Sequence, residues 1–469
     1  MNCDIEFVYL PSTVAEAKQK VELMIAADGK DLPDIIVNVP MEDSSILRYG
    51  SRGFIKSLNQ YYDNSAYYLN DVLKAETNLK DMITMADGNI YVIPRYQKIL
   101  QNELGYRMWI YKPWLEKLNL SEPKTLDEFY NVLKAFKEKD PNGNGLADEI
   151  PFIGATSGGE NWFCDFIAAA FQPIDIQSNY LYPENGKIKA AYVEPEYKEA
   201  LKYLNKLCTE GLLSPSSFTS DGAQTRQTIQ NPSGVQVGCF TSMAPTYLIN
   251  ATDRAEGYDI LAPLTQDNGT GYAVYGASIP TNSFFITKNC QYPEAAFRLG
   301  DIMMSEEMSI WNRFGKKGTD WVEPEEGDHG MFESMGYKAK IKPILAWGSP
   351  QNSHWQQGAP AYRGYELACA TVDSGSNIYE TRIAEHLQSY LDKKPKEYIT
   401  KIIYTEDEIN AINEIQQNIT SYRKDSVARF IIGDWDIESG WEDYLKEMKA
   451  IGVDEMLDIV QKAYDRCNK

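Results

Sequence analysis

Apolar residues recur at helical spacing at Val14, Ala17, Val21, Met24 and Ile25, between a strand-like run over residues 5–10 and a β-branched run over residues 33–39. Strand, helix and strand in that order predict a βαβ unit. Thr125 and Glu128 have the spacing of a capping box, ahead of Leu126, Phe129, Tyr130, Leu133 and Phe136 on one helical face. That helix runs into a loop opening at Asp140. Ala200, Leu201, Leu204 and Leu207 predict a further helix stopped by Gly211, and residues 235–240 read as a strand. Residues 283–287 form another strand-like run, followed by Pro293 at a helix start and by Ala296, Phe297, Leu299 and Met303. Two amphipathic helices close the chain. Trp441, Tyr444, Leu445 and Met448 mark the first, and Val453, Met456, Leu457, Val460 and Tyr464 the second, with Gly452 as the break. The alternation of strands and helices, without a fixed-period repeat, predicts an α/β fold with mostly parallel sheets.

A chain of 469 residues exceeds what one core of ~250–300 residues accommodates, so two lobes are expected. The net charge of -21 repels phosphate backbones and anionic lipid, which argues against a nucleic-acid partner. Its longest apolar runs fall far below the ~18 residues of a membrane span. The seven cysteines are scattered without a CxxC pair and read as buried thiols. Of the three histidines, His329, His354 and His386, no two lie at helical ligand spacing, so histidine-based zinc chemistry is not expected.

The sharpest local motif runs from Asp140 to Pro151. Calcium takes six to eight oxygens, and a wrapping loop supplies them at positions 1, 3 and 5, turns at a glycine in position 6 and adds a backbone carbonyl at 7. Asp140, Asn142, Asn144, Gly145 and Leu146 match those positions. Position 12, a bidentate glutamate in an EF-hand, is Pro151 here, and the carboxylates come early as Asp148 and Glu149. The spacing therefore predicts a calcium loop of EF-hand type in its first half only. A plain polar turn is the alternative, because Pro-Asn-Gly strings form turns unaided.

No nucleophile elbow, phosphate loop or metalloprotease spacing accompanies this motif, so no catalytic residue is nominated. Aromatic residues are abundant in polar loops. Trp162 follows a Ser-Gly-Gly-Glu-Asn string, and Trp347 and Trp355 flank residues 348–354. A ring beside amides suits a sugar, whose C–H face stacks while its hydroxyls find polar partners, but such rings also serve as lids on a core. Arg95 and Tyr96 follow the apolar run 90–93 after Pro94, at a strand end where α/β sheets bind ligands. The candidate substrate contacts are Trp162, Trp347 and Trp355 as platforms, with Tyr96 and Arg363 as hydroxyl partners.

Several segments, weak singly but specific in order, resemble the family 1 extracellular solute-binding proteins of carbohydrate ABC transporters, in their long-chain lipoprotein subgroup similar to alginate-binding proteins. They include residues 24–27 with 31–36, 87–94, 114–118, 123–129, 140–151, 203–213, 292–296, 305–307 and 441–464. The resemblance implies a type II periplasmic-binding-protein fold, two α/β lobes with a hinge and a ligand cleft between them. Lobe boundaries are expected at 1–112 with 281–325, and 113–280 with 326–469. It also implies a structural calcium on Asp140, Asn142, Asn144, Leu146, Asp148 and Glu149, away from the sugar. The expected protein is a monomeric, non-catalytic, cell-surface lipoprotein that captures an oligosaccharide or glycan fragment and delivers it to an ABC transporter permease. Its family's signal peptide, lipidated cysteine and first strand-helix unit are expected upstream of Cys3, which is not read as the anchor. Tyr111-Lys112-Pro113-Trp114 departs from the basic residue and aspartate that relatives often place before that tryptophan. A secreted glycoside hydrolase and a calcium-dependent glycan adhesin are the competing readings.

Overall fold

The computed structural model describes residues 4–243, 256–344, 358, 360–368 and 378–468. Its strands are β1 (Ile35–Val37), β2 (Pro94–Gln97), β3 (Arg107–Tyr111), β4 (Ile150–Ile153), β5 (Leu181–Glu184), β6 (Lys187–Ala190) and β7 (Val237–Ser242). They continue with β8 (Tyr258–Leu261), β9 (Thr281–Asn282), β10 (Phe284–Ile286), β11 (Trp321–Val322), β12 (Lys342–Pro343) and β13 (Ala361–Arg363).

Local sequence signals produce the helices. The predicted capping box is formed: Thr125 Oγ1 accepts from the Glu128 N–H at 3.2 Å, and Glu128 Oε2 accepts from the Thr125 N–H at 3.2 Å. The helix it starts, Leu126–Glu138, buries Leu126, Phe129, Val132, Leu133 and Phe136 as one stripe. At the carboxy terminus Gly452 takes φ 113°, which L side chains rarely adopt, and so breaks Ile437–Ile451 from Val453–Cys467. Residues 5–10, expected as a strand, form no ladder; Ile5, Phe7, Val8 and Tyr9 are exposed.

Two bodies of core are separate. One is built from Ala17 to Tyr96 together with Phe284 to Met304. The other surrounds a four-stranded sheet of order β4-β7-β3-β8, one face covered by the helices Leu126–Glu138 and Phe163–Ala168, with Pro195–Thr209 and then Glu406–Ile432 packed outside them, the other by residues that include Phe332, Ile383, Leu387 and Tyr390. The short sheet β13-β2-β9 lies where the chain passes between them. Arg107–Tyr111, inside the segment 1–112 expected for the first lobe, is a central strand of the second, because it pairs with both β7 and β8. Conversely β13, expected in the second lobe, pairs with β2 at the end of the first.

Among the described strands, parallel pairing is confined to β4 with β7 and β13 with β2. The expectation of mostly parallel sheets is therefore corrected. Sequence neighbours pair in β5-β6 and β11-β12, but β1 pairs with β10 and β2 with β9, both antiparallel, because the chain returns from the other lobe in the opposite direction.

Candidate functional site

Parallel β2 and β13 set Ala361 beside Arg95, Tyr362 beside Tyr96 and Arg363 beside Gln97. Side chains alternate between faces along a strand, so Arg95, Gln97 and Arg363 share one face while Tyr96 and Tyr362 share the other. On the first face lies a cavity of about 180 Å³, lined by Arg95, Gln97 and Glu103 on one side and Gln177, Gly276 and Ser278 on the other. The backbone comes close at Gly276: its N–H donates to the Glu103 carbonyl at 3.1 Å, and an added Cβ would stand 2.7 Å from Gln177 Cδ.

The cavity borders a buried tyrosine and carboxylate network. Glu103, 3% exposed, accepts at Oε2 from the Tyr275 hydroxyl at 3.2 Å and the Tyr365 hydroxyl at 3.1 Å. Glu76 accepts from the Tyr362 hydroxyl at 2.8 Å and pairs with Lys98 at 2.7 Å. Burial first, then these carboxylates, push the Tyr275, Tyr362 and Tyr365 hydroxyls above the usual tyrosine range, so each stays a donor. The network links β2, β13 and the segment carrying Gly276, and so holds the walls of the cavity in register.

Tyr96 is 1% exposed, packs with the first core and feels Glu76 and Glu103, which with burial push its hydroxyl up as well. Strand alternation puts Tyr96, expected as a hydroxyl partner in the cleft, on the face opposite Arg95, and it is not among the residues that line this cavity. Arg363 shares the strand face of Gln97 but is not among the residues that line the cavity; it is 6% exposed, with its guanidinium 5.9 Å over the Phe314 ring. Trp162 is half-buried and meets Tyr106 edge to face at 4.6 Å and 70°. Tyr106 in turn hydrogen-bonds Gln177, so Trp162 stands behind the cavity wall. Trp347 and Trp355 lie outside the described residues. Gln97, Gln177 and Gly276 were not among the sequence candidates. An alternation of polar residues after the apolar run 90–93 was the available signal for the first of them, and nothing local distinguishes the other two.

The loop from Asp140 is a tight turn. Asp140 takes φ 44°, Gly143 φ 78° and Gly145 φ 75°. Asp140 Oδ1 accepts from Gly143 and Asn144 N–H groups at 2.9 and 3.1 Å, and Asn144 Oδ1 accepts from Leu146 N–H at 2.7 Å. Asp148 is ringed by amide donors: Asn142 Nδ2 at 2.8 Å, Asn144 Nδ2 at 3.1 Å and Gln236 Nε2 at 2.6 Å. These bonds hold its carboxyl below the usual range. Glu149 is the opposite case. Both its carboxylate oxygens are buried without a hydrogen-bond partner, and burial, with Asp140 and Asp148 nearby, pushes its carboxyl up. Among the described residues no three His, Cys, Asp or Glu side chains converge as a ready metal site. The loop's own oxygens are mostly amide and backbone groups, however, and an orphaned carboxylate beside them fits a hard cation.

Two α/β lobes joined through crossing strands, with a polar cavity at the crossing, define a binding protein of the periplasmic type. Residues 2–309 match the family model of bacterial extracellular solute-binding proteins, and the chain belongs to that family. It is 26% identical over 448 residues, 93% of this chain and 80% of the relative, to the fructooligosaccharide ABC transporter substrate-binding protein FusA of Streptococcus pneumoniae. An EF-hand mutant of S. pneumoniae FusA in complex with fructo-nystose shares the fold with TM-score 0.75 at 24% identity, covering 97% of this chain and 92% of that one. A human-milk-oligosaccharide (HMO) binding solute-binding protein of Bifidobacterium longum infantis shares it with TM-score 0.77 at 19% identity, covering 96% and 90%. No helix among the described residues is long and apolar enough to cross a membrane.

Proposed function

We propose that this protein captures an oligosaccharide in the cavity between its lobes and hands it to the permease of an ABC transporter. The observation that carries this reading is the meeting of polar side chains from both sides, Arg95 and Gln97 against Gln177, at the strands where the chain crosses. A ligand gripped from both walls favours the closed arrangement through its differential contacts. At about 180 Å³ the cavity is smaller than the ~300 Å³ or more of ordinary ligand sites, so the walls part to admit an oligosaccharide. Trp162 and Tyr106 stand behind Gln177 of the second-lobe wall. Membership of the solute-binding family and likeness to FusA support capture without chemistry.

The same reading places the protein outside the cell as a lipid-anchored monomer, in keeping with the lipoprotein subgroup it resembles. It assigns a structural calcium to the loop, held by Asp140, Asn142, Asn144, the Leu146 carbonyl, Asp148 and Glu149. Bound there, the ion would neutralise the carboxylates and stiffen the turn. The support is the pair of unpartnered Glu149 oxygens.

A thermal-shift screen against oligosaccharides, fructooligosaccharides included, tests the capture. A true ligand at ~100 times its dissociation constant adds roughly 2.7 kcal/mol of stability. Mass spectrometry of the recovered ligand should show it unchanged. A new reducing end formed in proportion to protein would establish a glycosidase instead, and the absence of a shift with any glycan would end the reading.

A further inference from the structure

The strands β2, β9 and β13 lie where the chain passes between the lobes, and the second-lobe end of each leads to one side chain. Leu100–Glu103 follows β2, Tyr275 and Gly276 precede β9, and Tyr365 follows β13. Glu103 Oε2 accepts from the Tyr275 hydroxyl at 3.2 Å and the Tyr365 hydroxyl at 3.1 Å, and the Glu103 carbonyl accepts from the Gly276 N–H at 3.1 Å. One residue of the first crossing is thus bonded to both of the others. Leu100, Leu104 and Tyr275 belong to the second-lobe core, Tyr365 packs against it, and the Tyr275 ring meets Tyr398 at 4.8 Å. The knot therefore moves with that lobe. Glu103 is 3% exposed and also lines the cavity. Hydrogen bonds to a buried carboxylate are charge-assisted, and breaking them strands the charge without donors, so they resist being broken in a lobe movement. Each crossing also has a glycine within two residues of the knot, Gly105, Gly276 and Gly364, none at a positive φ that would make glycine obligatory. Rotation can be taken up there while the bonds persist.

We propose that Glu103 is the positioning residue of lobe closure, the fixed point about which the first-lobe wall with Arg95 and Gln97 swings toward Gln177. The proposal rests on the sugar-capture reading and deepens it. At about 180 Å³ the cavity must open to admit an oligosaccharide and then return. A hinge tied at one point holds the ligand-free protein near the arrangement that binds, and apparent affinity is reduced by the fraction of molecules outside that arrangement. With the knot untied the three crossings move independently, that fraction grows, and the sugar must supply the cost of realigning the walls. Glu103 acts in this way through the wall residues and not through a bond of its own to the sugar.

The test compares the intact parent with the double variant Tyr275→Phe, Tyr365→Phe, which keeps both rings and removes both donors, and with Glu103→Gln, which keeps one oxygen acceptor for the tyrosines. Calorimetric titration with fructo-, xylo-, malto- and galacto-oligosaccharides of three to five residues identifies a sugar that the parent binds. The double variant should bind that sugar at least tenfold more weakly, and Glu103→Gln should lose less. Small-angle X-ray scattering should give the ligand-free double variant a larger radius of gyration than the ligand-free parent, and the two the same value at saturating sugar. Tyr365→Phe alone, which leaves the Tyr275 bond in place, carries the test should the double variant fail to fold, as judged by circular dichroism. A lower melting temperature with affinity and scattering both unchanged would make these bonds structural and overturn the pivot while leaving sugar capture standing. An affinity loss with unchanged ligand-free scattering would overturn it as well, whereas failure of the parent to bind any of these glycans would remove both the pivot and the capture.

Discussion

The Lys401 ammonium lies 2.8 Å from Asp43 Oδ2 and donates to the Met82 carbonyl at 2.8 Å, tying a segment next to the second-lobe core to the start of a first-lobe helix. Asp43 also accepts from Asn282 Nδ2 at 2.9 Å, which brings β9 into the same contact. Lys401 keeps 11% of its side chain exposed and Asp43 27%, so the pair is only partly screened by solvent. Lys401→Met retains the stem and removes the charge, taking the lysine donor from the Met82 carbonyl and the opposing charge from Asp43. Urea denaturation should show a loss of about 1–3 kcal/mol. An unchanged midpoint would mean that the contact contributes nothing to stability.

Gly276 provides a probe of where the ligand sits. Its added Cβ would press on Gln177, at 2.7 Å, from within the cavity lining. Gln177 is flexible enough to yield, so Gly276→Leu should fold with a melting temperature within a few degrees of the parent while filling the space a sugar needs. Oligosaccharide affinity should fall at least tenfold. A folded variant with undiminished affinity would place the sugar elsewhere.

Calcium removal is the third test. Chelation should lower the melting temperature of the parent protein, and Asp148→Asn should have a lower melting temperature that chelation no longer changes, while sugar affinity at saturating calcium stays near its starting value. Glu149 adds a pH signature. Its carboxyl is raised in the metal-free fold, and calcium requires the ionised form, so calcium affinity should weaken as pH falls through that raised value. Identical melting with and without chelator would remove the ion from the account.

Asp175 makes stability depend on pH in the reverse of the usual acid sense. It is 5% exposed, Oδ1 accepts from the Ser178 N–H at 3.0 Å, Oδ2 has no partner, and burial pushes its carboxyl up to about 6. The folded state therefore holds this proton more tightly than the unfolded chain, whose aspartates titrate near ~3.9. The stabilising contribution is complete below about 4 and is lost as pH rises through about 6. Asp175→Asn keeps the Oδ1 acceptor and should be more stable than the parent at pH 7–8 by on the order of 2 kcal/mol. Asp165, raised to about 6 by burial against the opposing charge of Arg423, acts in the same window, so part of the slope should persist in the variant. Denaturation midpoints measured from pH 4 to 8 decide it, and a variant with the parent's full slope would contradict the assignment.

What the sequence by itself determined is what depends on residues a few positions apart. Thr125 with Glu128 specified a helix start, Gly452 a break, and the run from Asp140 to Glu149 a tight loop of oxygens, because capping, left-handed turns and carboxylate spacing act within one or two turns of chain. Whether Tyr96 or Arg95 faces the cavity was beyond such reasoning. Both sit at the same strand end, and the choice is made by the pairing of β2 with β13 and β9, strands that reach it from far along the chain. The same pairing brings Arg363 round to the face of Arg95, and the antiparallel returns of β9 and β10 make the sheets mixed rather than parallel. Periodicity gives each strand two faces, but only the neighbour it pairs with decides which face looks into the cavity, and that neighbour is chosen by burial summed over the whole molecule.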